Sequence, residues 1–231
     1  VSDKYETVFY STPSQPSKMS PNYIKEMLKK FDIRISDIKT IGVTGGKSSD
    51  LDDSLDKIKI IKINEIEAIG LGAKKLYDIE NESTLVVSAG TGTACVQVEG
   101  NNFNHLGGIA VGGGMLEGLG FLLFNNSKGL EINEFGAKGS RNKLDLLIGD
   151  VVNKIGNLSP EITAVNFGQA ANTSADTMEN TAAALCNMIG EVIGTIAYLN
   201  ALLIGSDRAC FTGRTSYLSE IVNGINQRLN P

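Results

Sequence analysis

The fold turns on Thr84-Leu-Val-Val-Ser-Ala-Gly-Thr-Gly-Thr-Ala-Cys-Val-Gln-Val98. Its β-branched and apolar run enters a Gly/Thr turn and leaves it as a second such run, so it predicts two strands around Gly90-Thr91-Gly92-Thr93. Glycine tolerates positive φ and keeps side chains out of the way, so backbone N–H groups can point outward at an anion. The threonine hydroxyls add donors. The same turn also suits an ordinary tight hairpin, and by itself it leaves both readings open.

Downstream, His105 to Gly114 holds five glycines, Gly107, Gly108, Gly112, Gly113 and Gly114, and opens onto an apolar helical stretch from Met115 to Phe124. A glycine-rich loop feeding a helix start offers free N–H groups and the positive end of the helix dipole. No Gly-Lys-Ser/Thr follows, so it is not a Walker loop, and the spacing fits a dinucleotide fingerprint poorly.

Upstream, a loop by composition over Ser11–Ser17 follows an expected strand over Val1–Thr12. Helical spacing of Tyr23, Ile24, Met27, Leu28 and Phe31 predicts a helix from Pro21 to Lys30, with Ser20 as N-cap. Ile38 to Thr44 reads as a strand entering Thr44-Gly45-Gly46-Lys47, and Ile58, Ile60 and Ile61 suggest another. Glu65 and Glu67 follow, before a helix expected from about Ala68 to Tyr77. A carboxylate there suits a general base, and it equally suits a helix start favoured by the dipole.

Beyond the glycine loop the pattern predicts an amphipathic helix from Leu144 to Ile155 and a long helix from about Thr177 to Ile204. The long helix is apolar enough for a membrane span. Asn187, Glu191 and Asn200 interrupt it, so a buried core helix is the reading taken, with no membrane partner. Ala209-Cys-Phe-Thr-Gly213 reads as a strand ending in a loop, and Ser219 to Leu229 as the last helix. Alternating strands and helices give an α/β class. The polar stretch Asn81 to Thr84 divides the chain into a first lobe, 1–83, and a second, 84–231, that carries the glycine loops.

The 231 residues are 42% hydrophobic and 20% charged, enough for a packed core. A net charge of −5 argues against a broad nucleic-acid surface. Three cysteines and one histidine make a disulfide framework or a Cys/His zinc site improbable, and no metal-binding residue is assigned. Val1 is not an initiator Met, so the chain reads as part of a longer one, and no signal-peptide pattern stands before it.

Taken in order, the motifs resemble the type II pantothenate kinases. They are Thr44-Gly45-Gly46, Glu65-Ile-Glu67-Ala68, Gly90-Thr-Gly-Thr93, Gly107 to Met115 with Gly118-Leu-Gly120, Ala164-Val-Asn-Phe-Gly168 and Gly190-Glu-Val192. The resemblance covers most of residues 40 to 216 and implies the fold of the acetate/sugar kinase, Hsp70 and actin superfamily. That is two RNase H-like lobes around an ATP cleft, here with the N-terminal Asp-x-Gly-Gly-Thr strand-loop missing from the chain. It implies Glu65 as the base that activates the pantothenate hydroxyl. Gly90, Thr91, Gly92 and Thr93 would form a phosphate loop. Gly112, Gly113, Gly114, Met115, Leu116, Glu117 and Gly213 would border ATP with Mg²⁺, and Glu65, Thr91, His105 and Gly107 the substrate. His105 stands where the family usually has an arginine that contacts pantothenate, and Gly213-Arg214-Thr215 where it has a Gly-Ser-Ser loop. A cytoplasmic homodimer starting coenzyme A synthesis is the expectation that follows. A related amino-sugar or hydroxy-acid kinase, a nucleotide-binding regulator and a structural fragment are the alternatives.

Overall fold

The computed structural model describes residues 20–45, 48–152, 159–172 and 177–229, together with Val8 and Tyr10. Apart from those two residues, the expected opening strand and the loop after it lie outside the described residues, as do Gly46 and Lys47. In chain order the elements are α1 (Pro21–Lys30), β1 (Thr40–Val43), β2 (Ser54–Leu55), β3 (Ile58–Lys62), α2 (Glu65–Tyr77), β4 (Thr84–Ala89), β5 (Thr93–Glu99), β6 (Asn102–Ile109), α3 (Gly113–Phe124) and α4 (Gly129–Gly136). After them come β7 (Leu146–Leu147), α5 (Ile148–Val151), β8 (Thr163–Val165), α6 (Met178–Leu203), β9 (Ala209–Thr212) and α7 (Ser219–Leu229). The chain separates into two compact units, Val1–Ala68 and Ile69–Pro231. They divide inside α2, earlier than the boundary at 83/84 read from the polar stretch.

In the N-terminal unit, Ser20 Oγ accepts the Tyr23 N–H at 3.1 Å and Pro21 opens α1, as its capping pattern predicts. β1 pairs parallel with β3, and β2 pairs antiparallel with β3, giving the order β1-β3-β2. Ile24, Val43, Leu51, Leu55 and Ile60 form the core. The helix expected from Ala68 begins one turn earlier. Asn64 Oδ1 accepts the Ile66 N–H at 2.9 Å and starts α2 at Glu65, so Glu65 and Glu67 occupy its first turn.

In the C-terminal unit, β4, β5 and β6 form an antiparallel meander, and β9 adds parallel to β4, for the order β6-β5-β4-β9. Leu85, Val86 and Val87 are wholly buried, as a central strand covered on both faces requires. Leu185, Cys186, Ile189, Ile193 and Ala197 of α6 join that core. Two-thirds (67%) of the apolar window of α6 lies inside the fold, the behaviour of a core helix. α7 crosses α6 at backbone contact, and a Cβ on Gly224 would lie 2.7 Å from the Asn187 carbonyl oxygen.

Two sequence expectations fail here for one reason: backbone donors find partners far along the chain. Residues 144–152 do not form one helix, and 153–155 lie outside the described residues. Leu146 and Leu147 pair with β8, and the N–H groups of Ile148 and Gly149 go to the carbonyls of Ile162 (2.8 Å) and Pro160 (2.9 Å), leaving only the short α5. His105–Gly108 is not loop but the body of β6, held by pairing to β5.

A buried charged network ties the 141–168 segment to α6 and α7. Asp145 Oδ1 accepts the Phe167 N–H at 2.8 Å, and its Oδ2 accepts from Asn187 Nδ2 at 3.2 Å, with Arg141 Nη1 at 3.7 Å. Glu191 Oε2 accepts from Asn166 Nδ2 at 2.8 Å. Its Oε1 lies 3.3 Å from Arg228 Nη2, close enough for charge attraction but not aligned as a hydrogen bond. Burial, with the Glu191 charge adding, pushes the Asp145 carboxyl above the ordinary aspartate value against the pull of Phe167 N–H, Arg141 and Asn187.

The folded chain therefore binds the Asp145 proton more tightly than the unfolded chain does. Its contribution to stability is full below the ordinary aspartate pKa and is lost as pH rises through the folded value. Urea titrations of wild type and Asp145→Asn should show the stability difference, wild type minus variant, falling from about pH 4 upward. A difference that rises with pH contradicts the assigned direction.

Candidate functional site

In the C-terminal unit, three glycine segments converge where β4 and β9 end. β4 runs into Gly90-Thr91-Gly92, β9 runs into Gly213, and α3 starts at Gly113. The two turns first read as separate anion loops are bonded together. Gly113 N–H donates to the Gly90 carbonyl at 2.8 Å, and Gly114 N–H donates to the Thr91 carbonyl at 2.9 Å. Thr215 Oγ1 donates to the same Gly90 oxygen at 2.8 Å and brings in the segment after β9. A Cβ on Gly112 would lie 2.8 Å from both the Gly90 and the Thr91 carbonyl oxygens, and one on Gly108 would lie 2.7 Å from the Thr93 carbonyl oxygen. Gly213 has φ 91° and presses on the Ala89 backbone, so it needs glycine for conformation as well as space. Carboxyl ends of parallel strands with bare backbone are where open α/β sheets take phosphates.

Donor accounting sharpens this picture. The α3 start does not present all its N–H groups, because those of Gly113 and Gly114 are used internally. The N–H groups of Thr91, Gly92 and Met115 have no acceptor among the described residues. Thr93 is buried and its hydroxyl donates to the Val111 carbonyl at 2.8 Å, so that hydroxyl proton is not offered outward. Leu116 is a core side chain and its N–H donates to the Gly112 carbonyl oxygen at 3.1 Å, so neither is offered to a ligand. Thr91 and Glu117 are exposed.

In the N-terminal unit, Gly45, Ser48, Ser49, Lys62, Ile63, Asn64 and Glu65 line an open cleft of about 330 Å³. The parallel register Val43↔Lys62 brings the ends of β1 and β3 side by side, which sets the Gly45 turn against the start of α2. A Cβ on Gly45 would lie 3.8 Å from Glu65 Oε2. Glu65 is exposed in the first turn of α2, with its carboxylate open to the cleft. Among the described residues no group of three His, Cys, Asp or Glu is placed to hold a metal.

His105 and Gly107 sit on β6, an edge of the four-stranded sheet. Gly107 pairs with Cys95 and His105 with Val96, so Leu106 is an extra, bulged residue, a device that re-aims neighbouring side chains. His105 is exposed there. Sequence reasoning missed Thr215 as the clasp on Gly90, although Gly213-Arg214-Thr215 was in view. It also missed Lys62 and Ser48 on the cleft. The available signal for Lys62 was a cation at a strand end, three positions before Glu65.

Residues 74–223 match the Fumble family. The type II pantothenate kinase of Bacillus anthracis is 34% identical over 188 residues, covering 77% of this chain and 67% of that one. The type II pantothenate kinase of Oceanobacillus iheyensis is 31% identical over 186 residues, covering 78% and 69%. The chain thus spans about two-thirds of the length of these curated relatives. Among solved structures, the activator of 2-hydroxyisocaproyl-CoA dehydratase from Clostridium difficile with bound ADPNP superposes with TM-score 0.56 at 16% identity, covering 90% of this chain and 71% of that one. A ROK family protein from Streptococcus pneumoniae in complex with sucrose gives TM-score 0.51 at 13% identity, covering 95% and 76%. At such identities the likeness shows the fold, that of the actin-like ATPases.

The close approach at Gly112 gives a direct test. An added methyl must push two backbone carbonyls apart, at a cost on the order of 1–3 kcal/mol. Gly112→Ala is expected to weaken calorimetric ATP binding about tenfold or more, since the displaced turn carries the free donors. Gly118→Ala meets nothing within 4 Å and serves as the control, with binding unchanged. Equal behaviour of the two variants would detach the cradle from nucleotide binding.

Proposed function

Because the chain belongs to the Fumble family, with type II pantothenate kinases as its curated relatives, we propose that it transfers the γ-phosphoryl group of ATP to the primary hydroxyl of pantothenate. This reaction, the first step of coenzyme A biosynthesis, makes it a phosphotransferase with an alcohol acceptor. The observation that carries the reading is the convergence of Gly90–Gly92, Gly112–Gly114 and Gly213 on one bare-backbone cradle. The relatives favour pantothenate over an amino sugar or another acid.

Each unit supplies a separate part of the chemistry. The cradle fits a triphosphate, because it combines unpaired N–H groups of Thr91, Gly92 and Met115 with positions where no side chain fits. In the N-terminal unit, Glu65 receives the hydroxyl proton as the acceptor oxygen bonds to the γ-phosphorus and the bond to the β–γ bridging oxygen breaks, leaving ADP. A general base of this kind contributes about 10²–10⁴-fold. Most of the remaining acceleration comes from positioning and fixed donors. Mg²⁺ would be held by phosphate oxygens and water, since no protein cage exists among the described residues; it supplies charge neutralisation on the triphosphate.

The chain works as a homodimer in this reading. Val192, Tyr198, Leu199, Leu202 and Leu203 of α6 leave an exposed apolar stripe at helical spacing, continuous with a helix that is otherwise core. A second copy covering that stripe removes it from water.

Glu65→Gln is expected to lower kcat about 10²–10⁴-fold while ATP affinity stays within twofold. Full activity in this variant removes Glu65 from the role. Separately, Leu199→Glu combined with Leu203→Glu should halve the mass seen by light scattering, and an unchanged mass rules out this stripe as the contact.

A further inference from the structure

The cleft that holds Glu65 also holds Lys62, which the proton transfer does not use. Lys62 ends β3, and its side chain keeps 29% of its surface exposed. Its ammonium lies 3.0 Å from Asp53 Oδ1 and donates to the Ser49 carbonyl oxygen at 3.4 Å. An ammonium has three donors, and the third has no partner among the described residues. The Asp53 side chain is 94% exposed, so this pair is solvent-swept and weakly held. Among the described lining residues Lys62 is the only cation.

We infer that Lys62 anchors the carboxylate of the acceptor substrate, so that the cleft reads an acid at one place while Glu65 addresses the hydroxyl. Asp53 shows what this ammonium takes: a carboxylate oxygen at ion-pair distance. A ligand carboxylate can use the free third donor or displace Asp53. Losing so exposed a partner costs little. Ser48 and Ser49 stand on the same cleft beside the expected anion. A point charge with rotatable donors suits a ligand that must slide into register with a base, where a guanidinium fork would impose its own geometry. The inference rests on the kinase reading above and adds the acid requirement to it.

The test compares pantothenate with pantothenyl alcohol, which keeps the primary hydroxyl and lacks the carboxylate. Lys62→Gln is expected to raise KM for pantothenate about 10–100-fold, the loss typical of a charged hydrogen bond, with kcat within threefold. KM for pantothenyl alcohol should not move. Lys62→Arg should recover only part of the pantothenate KM, since it keeps the charge but not the rotatable donors, and Asp53→Asn should leave it unchanged or lower it by no more than about fivefold, since the exposed pair it removes is weak. That last variant alters a solvent-exposed side chain, so it reports even where Lys62 variants fold poorly. Equal rises in KM for both substrates overturn the inference, as does a fall in kcat with KM unchanged, which would place Lys62 on the transferring phosphoryl group. A pantothenate KM that rises in Asp53→Asn also counts against it. If the wild-type chain phosphorylates neither compound, the kinase reading itself fails, and that outcome is separate from any of these patterns.

Discussion

Two backbone hydrogen bonds organise the C-terminal unit: Gly113 to Gly90 and Gly114 to Thr91. They lock the start of α3 onto the tip of the β4–β5 hairpin. Such a lock requires the two backbones to touch, and backbones touch only where no Cβ intervenes. Gly112 and Gly114 are thus demanded by one contact rather than by two local turns. Thr215 adds a second donor to the Gly90 carbonyl, so the end of β9 joins the same knot. The cradle is consequently stiff. Donors that remain free are fixed in direction before any anion arrives, which is what electrostatic preorganisation requires.

The hairpin was legible because its information is local. Alternation, β-branching and a Gly/Thr tip sit within fifteen consecutive residues, Thr84–Val98. Ser20-Pro21 was legible for the same reason, since a cap and its helix are neighbours. Residues 144–155 misled because their apolar spacing fits a helix equally well. Their strand character comes from Pro160, Ile162 and Thr163, partners that periodicity does not see. The glycines after His105 misled differently. Gly107 and Gly108 look like loop, yet a strand accepts glycine where another backbone passes closely, as Thr93 does at Gly108, or where φ is positive, as at Gly107 beside the bulge (126°). α4 carries no cap signal, with no side-chain bond from Lys128 to its first turn, and it escaped the reading.

Polar positions within α6 illustrate a second limit. From sequence, Asn187 and Glu191 only interrupt an apolar helix and so argue against a membrane. In the fold Asn187 donates to Asp145 and Glu191 accepts from Asn166, which gives the Ala164-Val-Asn-Phe-Gly168 and Gly190-Glu-Val192 motifs a shared physical cause. Asn166 bonds Glu191 directly, so two motifs that look independent along the chain are halves of one buried pair. Buried ion pairs seldom add net stability, because desolvation offsets the attraction. Their directional bonds do fix where the 141–168 segment lies on α6 and α7.

Recognition is split between backbone and side chain. The glycine cradle at residues 90–92, 112–115 and 213–215 offers mainly main-chain groups, and a main chain has no alternative side chain to substitute. The cleft of the N-terminal unit offers hydroxyls, an ammonium and a carboxylate on Ser48, Ser49, Lys62 and Glu65. Substituting a lining residue there alters charge and reach without touching the hydrogen bonds that shape the cradle. In the proposed kinase, affinity for the phosphoryl donor would therefore rest on features that leave little room for change, and the choice of acceptor on features that change one residue at a time. A fold built this way can keep one donor while exploring many acceptors, because only the second task is written in side chains.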